Sequence, residues 1–244
     1  MSSEGNVQGT APTELGTLKI GKLLRMYAVP GIIAQTAASL YNMVDSIYIG
    51  HIKDIGAFAI SGLAVTFPMM NLSVALGTLV GVGAMTMISV LLGQKDYDKA
   101  RKVLNTTLSL NIIVGAIFSI VSLLFLDPIL TFFGASENTL PFARDYMTII
   151  LIGNIITHLY FGLNGVLRAS GHPKTAMGLT LFTVISNSVL DPLFIFVFDL
   201  GIKGAAIATV FSRLVELVIL LSWTYSHGYE ICGKLRELLG FDWN

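Results

Sequence analysis

Six long apolar stretches separated by short polar clusters dominate the chain, at roughly 23–49, 57–92, 103–126, 141–167, 175–198 and 204–226. A bilayer core takes about 20 predominantly apolar residues per helix, so each stretch is predicted to cross a membrane, the long second one tilted or protruding. The separators are HIKD at 51–54, GQKDYDKARK at 93–102, FGASEN at 133–138, SGHPK at 170–174 and DLGIKG at 199–204. Their glycines, prolines and charges are turn chemistry, not linkers between soluble domains. The runs are too long for barrel strands and lack alternation of period two. The expected fold is all-α and polytopic: a six-helix transmembrane bundle over 19–226, after a polar segment 1–18 and before a tail 227–244.

Composition agrees with lipid as the solvent. Hydrophobic residues make up 54%, charged residues 12%, and mean hydropathy is +0.75, against about 25% charged residues in an ordinary globular chain. Fifteen basic residues balance fifteen acidic ones, so nothing suggests nucleic acid as a partner. The lone Cys232 excludes an intrachain disulfide framework and a cysteine metal cluster. Residues 1–18 are polar, and the first apolar stretch is too long for the core of a signal peptide.

Charge placement orients the spans, because Lys and Arg accumulate in cytoplasmic loops. Lys19, Lys22, Arg25, Lys95, Lys99, Arg101, Lys102, Arg168, Lys174, Lys234 and Arg236 fall on one side, Lys53, Arg144 and Lys203 on the other, and Arg213 within a span. Both termini are therefore expected in the cytoplasm, with the chain in the plasma (inner) membrane.

Four charged residues lie inside spans: Asp45, Asp191, Arg213 and Glu216. A charge in hydrocarbon is costly unless it is paired, neutralised or faces a cavity. Arg213 and Glu216 are three apart on one helix, so they can neutralise each other or line a central cavity. Asp45 and Asp191 have no cation nearby in sequence. At ~1.5 Å per residue, Asp45 lies ~30 Å beyond Arg25 and Asp191 ~26 Å beyond Lys174, which brings both to a similar depth in the outer half. Tyr41 and Asn187 precede them by one helical turn and share their faces. Thr209, six residues or ~9 Å inward from Lys203, arrives at comparable depth. Three spans can thus pool one polar nest, in which a carboxylate either binds a proton or Na⁺ or only hydrogen-bonds across a helix interface.

Pro30, Pro68 and Pro192 lie within spans, and each removes a helix hydrogen bond. Pro192 directly follows Asp191. Gly77, Gly81 and Gly83 are expected to let a neighbouring helix approach, and the four methionines at 69, 70, 85 and 87 to pack. No phosphate-binding G-x-x-x-x-G-K-[ST], G-x-S-x-G or H-E-x-x-H occurs, and His51, His158, His172 and His227 have no metal-ligand spacing. The reading is therefore secondary transport by a non-enzyme without a cofactor.

LYNMVDSIYIG (40–50), following the VP at 29–30, resembles the first helix of the multidrug and toxic compound extrusion (MATE) transporters. GQKDYDKARK (93–102), LRASGHPKT (167–175), NSVLDPLFIF (187–196) and IKGAAIATVFSR (202–213) resemble that family's 2–3 loop, 4–5 loop, fifth helix and sixth helix, in order along nearly the whole chain. The resemblance implies multidrug or xenobiotic efflux: an antiporter exporting organic cations or other amphipathic compounds in exchange for H⁺ or Na⁺. It implies an ion-coupling site at Asp45, Asn187, Asp191 and Thr209, with Na⁺, if that is the ion, at Asp45 and Asp191. Pro30 matches a proline whose kink accompanies protonation; Tyr41, Asn154 and Asn164 would be supports. The family has twelve spans in two lobes with the substrate cleft between them, whereas this sequence carries six and closes on KLRELLGFDWN (234–244), which looks like the inter-lobe linker. The expectation is an amino-terminal lobe that needs a carboxyl-terminal lobe or a second copy of itself. A membrane scaffold or assembly subunit, and a lipid flippase of a related superfamily, are the alternatives.

Overall fold

The computed structural model describes residues 19–53 and 55–227. The expectations placed on 1–18, Cys232, Lys234, Arg236 and the 228–244 part of the tail lie outside the described residues. Eight α-helices follow one another: α1 (Ile20–Gly50), α2 (Gly56–Gly93), α3 (Tyr97–Leu124), α4 (Leu126–Phe132), α5 (Leu140–Ile152), α6 (Asn154–Ala169), α7 (Pro173–Pro192) and α8 (Gly201–His227), with a π-helical turn at Leu193–Val197 between the last two. No strand occurs among the described residues.

The turns form where the residue types demand them. Asp96 caps α3 by accepting the Lys99 N–H at 3.2 Å. At the end of α6, Gly171 takes a φ of +86°, and the N–H groups of Gly171 and His172 return to the Arg168 and Leu167 carbonyls, both at 3.2 Å. A side chain there would be forced into the left-handed region, which is why glycine closes this helix. Pro173 then opens α7, where its missing N–H costs nothing.

The helices α2, α3, α7 with its π turn, and α8 are each long and apolar enough to cross a membrane, and α5 with α6 makes a fifth crossing. At 31 residues, α1 also has the length, but Gln35, Thr36, Ser39, Asn42, Asp45 and Ser46 make it more polar than the others. The six expected spans correspond to these six units, with three differences. The fourth is not one helix: it breaks at Gly153, and α5 and α6 meet at 53°. The third ends at Leu124, and the short α4 follows as a separate element. The fifth loosens into the π turn directly after Pro192, whose ring cannot donate the next helical bond. By contrast, α1 and α2 run unbroken through Pro30 and Pro68.

The large side chains Leu79, Leu124, Phe132 and Val197 are at least 70% exposed, and only 28% of the most apolar window of α2 or of α3 is buried. In a molecule of this composition such a belt is the surface that meets lipid. Inside, α2 packs on α3, α5 and α6, α1 lies chiefly along α7, and α8 bridges α5, α6 and α7. Apolar clusters fill the two ends of the bundle. One gathers Ile88, Leu104, Leu163, Leu167 and Leu220, and the other Ile49, Leu63, Ile195 and Ile202. The middle is left to polar groups.

Of the three glycines expected to pack, a Cβ on Gly77 would stand 3.3 Å from Phe161 and one on Gly81 2.9 Å from the Phe161 carbonyl. A Cβ on Gly83 would meet nothing within 4 Å among the described residues.

Candidate functional site

Asp45 and Asp191 come together from α1 and α7, which pack along each other. Asp191 is fully buried and Asp45 nearly so. The Asn187 side-chain amide donates to Asp191 Oδ1 at 2.9 Å, across the one turn that separates them on α7. Tyr41, one turn before Asp45, shares a 3.2 Å hydrogen bond with the Thr209 hydroxyl on α8. The two carboxylates lie within electrostatic reach of each other and of the Tyr41 hydroxyl. The five positions derived from depth arithmetic thus occupy one buried nest built from three helices.

A sixth member escaped the sequence reading. Tyr146 of α5 is buried and lies within electrostatic reach of both carboxylates and near Thr209. Its signal was present: it lies six residues, ~9 Å, inside the start of α5, as Thr209 does from Lys203. Arg144 and Asp145, beside it on α5, pair away from the nest, Arg144 with Asp127 and Asp145 with Lys203, the latter at 3.2 Å.

Among the described residues, each acid keeps one buried oxygen, Asp45 Oδ1 and Asp191 Oδ2, with no hydrogen-bond partner, and no arginine or lysine forms an ion pair with either. Two carboxylates in one apolar enclosure cannot both stand ionised without compensation. Two buried carboxylate oxygens are thus left open in one polar nest.

Asn154 and Asn164 do not reach this nest. Asn154, the first residue of α6, accepts the Ser73 hydroxyl at 2.6 Å and donates to Ser119 at 3.2 Å and the Gly115 carbonyl at 3.4 Å, so it stitches α2 and α3 to the break between α5 and α6. His158 joins the same network through Nε2, 3.2 Å from Ser73. Asn164 donates to the Tyr160 hydroxyl at 3.3 Å, which in turn meets Thr180 at 3.1 Å. Arg213 does neutralise Glu216, Nη1 to Oε2 at 3.1 Å, and its guanidinium lies 4.9 Å from the centre of the Tyr160 ring.

The sequence profile of the MatE family matches residues 30–193, a stretch that includes Pro30, Asp45 and Asp191. This chain belongs to the MatE family. It is 33% identical over 200 residues to the multidrug export protein MepA of Staphylococcus aureus, covering 82% of this chain and 44% of MepA. Against MepA of Staphylococcus haemolyticus the identity is 32% over 196 residues, with 80% of this chain and 43% of that protein covered. Among solved structures, an outward-facing multidrug resistance MATE family transporter of the MOP superfamily superimposes with a TM-score of 0.81 at 27% identity, covering 89% of this chain and 48% of the other. A MOP superfamily transporter from Pyrococcus furiosus, described as having a binding pocket of reversed polarity, superimposes equally well at 28% identity. The chain spans about half the length of the curated relatives it matches.

Proposed function

We propose that this MatE chain acts as the amino-terminal lobe of a secondary multidrug antiporter and binds the coupling ion at Asp45, Asn187, Asp191 and Thr209, with Tyr41 and Tyr146 holding the site. The observation that carries this reading is the pair of buried acids, each with one oxygen unpartnered and neither ion-paired among the described residues, in a chain similar to multidrug export proteins. A merely structural carboxyl is expected to satisfy both its oxygens, since an orphaned buried acceptor costs about 1–3 kcal/mol. The coupling ion is H⁺ or Na⁺, the cargo an organic cation or another amphipathic compound, and the lobe works with a second lobe or a second copy of the chain. The skewed distribution of basic residues supports cytoplasmic termini, and helical rise supports a nest in the outer half of the plasma membrane.

Infrared spectroscopy of the purified chain tests the site. A protonated-carboxyl band that titrates within the physiological pH range or shifts on adding Na⁺, and that is lost in Asp191→Asn, is the expected result. A band indifferent to both pH and Na⁺ would reduce the acids to structural hydrogen-bonders. Vesicles containing this chain alone should show no gradient-driven efflux of a fluorescent organic cation; robust efflux would overturn the requirement for a second lobe.

A further inference from the structure

One turn beyond Thr209 on α8, away from the acidic nest, a cavity of about 300 Å³ opens between α1, α2, α6, α7 and α8. Its polar wall is made by Gln35, Tyr160, Asn164, Arg168, Thr180 and Arg213, and no Asp or Glu lines it. Apolar side chains, among them Val82, Met85 and Phe161, line the rest of it. Two arginines therefore face a space without a carboxylate.

Neither arginine is fully engaged. Arg213 spends one donor, Nη1, on Glu216, and its side chain is 25% exposed; Nη2 and Nε bond nothing among the described residues. The Arg168 guanidinium makes no ion pair or hydrogen bond among them. The Glu216 carboxylate stands behind Arg213, fully buried, with Oε1 unpartnered. A guanidinium presents a planar fork of donors matched to a carboxylate or phosphate, and forks with idle donors beside an apolar wall select a ligand having an anionic head and a hydrocarbon body.

We infer that this cavity binds an anionic amphiphile, its carboxylate or phosphate held by Arg168 and Arg213 and its apolar part laid against Val82, Met85 and Phe161. Glu216 competes with the ligand head for Arg213. The inference does not rest on the coupling-ion reading, since it uses none of the nest residues.

The test is equilibrium binding of dodecanoate and of dodecyltrimethylammonium to the full chain in nanodiscs of zwitterionic lipid. Dodecanoate is expected to saturate one site and the quaternary ammonium not to. Arg168→Gln, at a half-buried position, should keep the helical circular dichroism and lose dodecanoate affinity by about tenfold or more, the scale of a charge-assisted bond. Glu216→Gln should raise the affinity, because it releases Arg213; a pair that served only to neutralise a buried charge would give no such gain. Equal binding of the two probes, an unchanged Arg168→Gln, or no gain in Glu216→Gln overturns the proposal. Native mass spectrometry of the chain taken from membranes separates the sources. An anionic phospholipid that co-purifies and is lost in Arg168→Gln makes the head a lipid's; dodecanoate binding without such a lipid makes it a soluble amphiphile's.

Discussion

Single residues in this chain matter most where the interior turns polar. Asn154 alone satisfies partners on two other helices, with contacts of 2.6 Å to Ser73 and 3.2 Å to Ser119. Because Ser73 has a single proton and gives it to Asn154, His158 Nε2 must be the donor in its contact with Ser73, leaving Nδ1 bare. Replacing Asn154 with Leu strands two hydroxyls at once and is expected to cost about 1–3 kcal/mol, read as a lower thermal midpoint in detergent. Adding Ser73→Ala should cost much less than it does alone, since the two act as one unit. The residues of the acidic nest were legible because an aspartate inside a long apolar run is conspicuous and because helical rise converts sequence distance to depth. Asn154 and Asn164, offered as supports only by the family resemblance, bond Ser73, Ser119 and Tyr160 instead. Depth along the membrane normal is computable from sequence, but the azimuth of a helix, which decides whether an asparagine faces the nest or a neighbour, comes only from packing.

Among the elements, the broken span is the one whose geometry a single contact explains. At Gly153 the chain turns by 53°, and a Cβ there would stand 2.5 Å and 2.6 Å from the two methyls of Val210 on α8. Val210 is β-branched and cannot swing aside, so the absence of a side chain at 153 is what lets α8 close on the bend. Gly153→Ala should therefore destabilise the bundle by about 1–3 kcal/mol, the usual cost of overpacking. Val210→Ala should recover most of that loss, as thermal unfolding of both variants and the double variant would reveal. The break had no clear sequence signal: a glycine within an apolar stretch reads as a packing position as readily as a bend, and only α8 lying across it distinguishes the two. The ends of the other helices were legible to within a few residues, because Asp96, Gly171 and Pro173 have local reasons to stand where they do.

Taken whole, the molecule turns the usual pattern inside out: its large exposed side chains are apolar and several of its most deeply buried ones are polar. Ile113 on α3 is 52% exposed, and on a water-facing surface Ile113→Asp would be nearly neutral. Facing lipid, it should cost about 2.5–3.5 kcal/mol near a helix centre, measured as lost insertion of that span in microsomes by glycosylation mapping. The sequence by itself determined that the protein is helical, that it meets lipid, and that its apolar runs match the six long helical units described. All of these follow from the lengths of apolar runs and a fixed rise per residue. Only the tertiary structure decided that Tyr146 completes the nest, that α5 and α6 part at Gly153, and that Arg168 and Arg213 face one cavity from different helices. Each of these depends on the rotation and tilt of one helix against another, which is set by side chains far apart in sequence that meet only when the bundle closes.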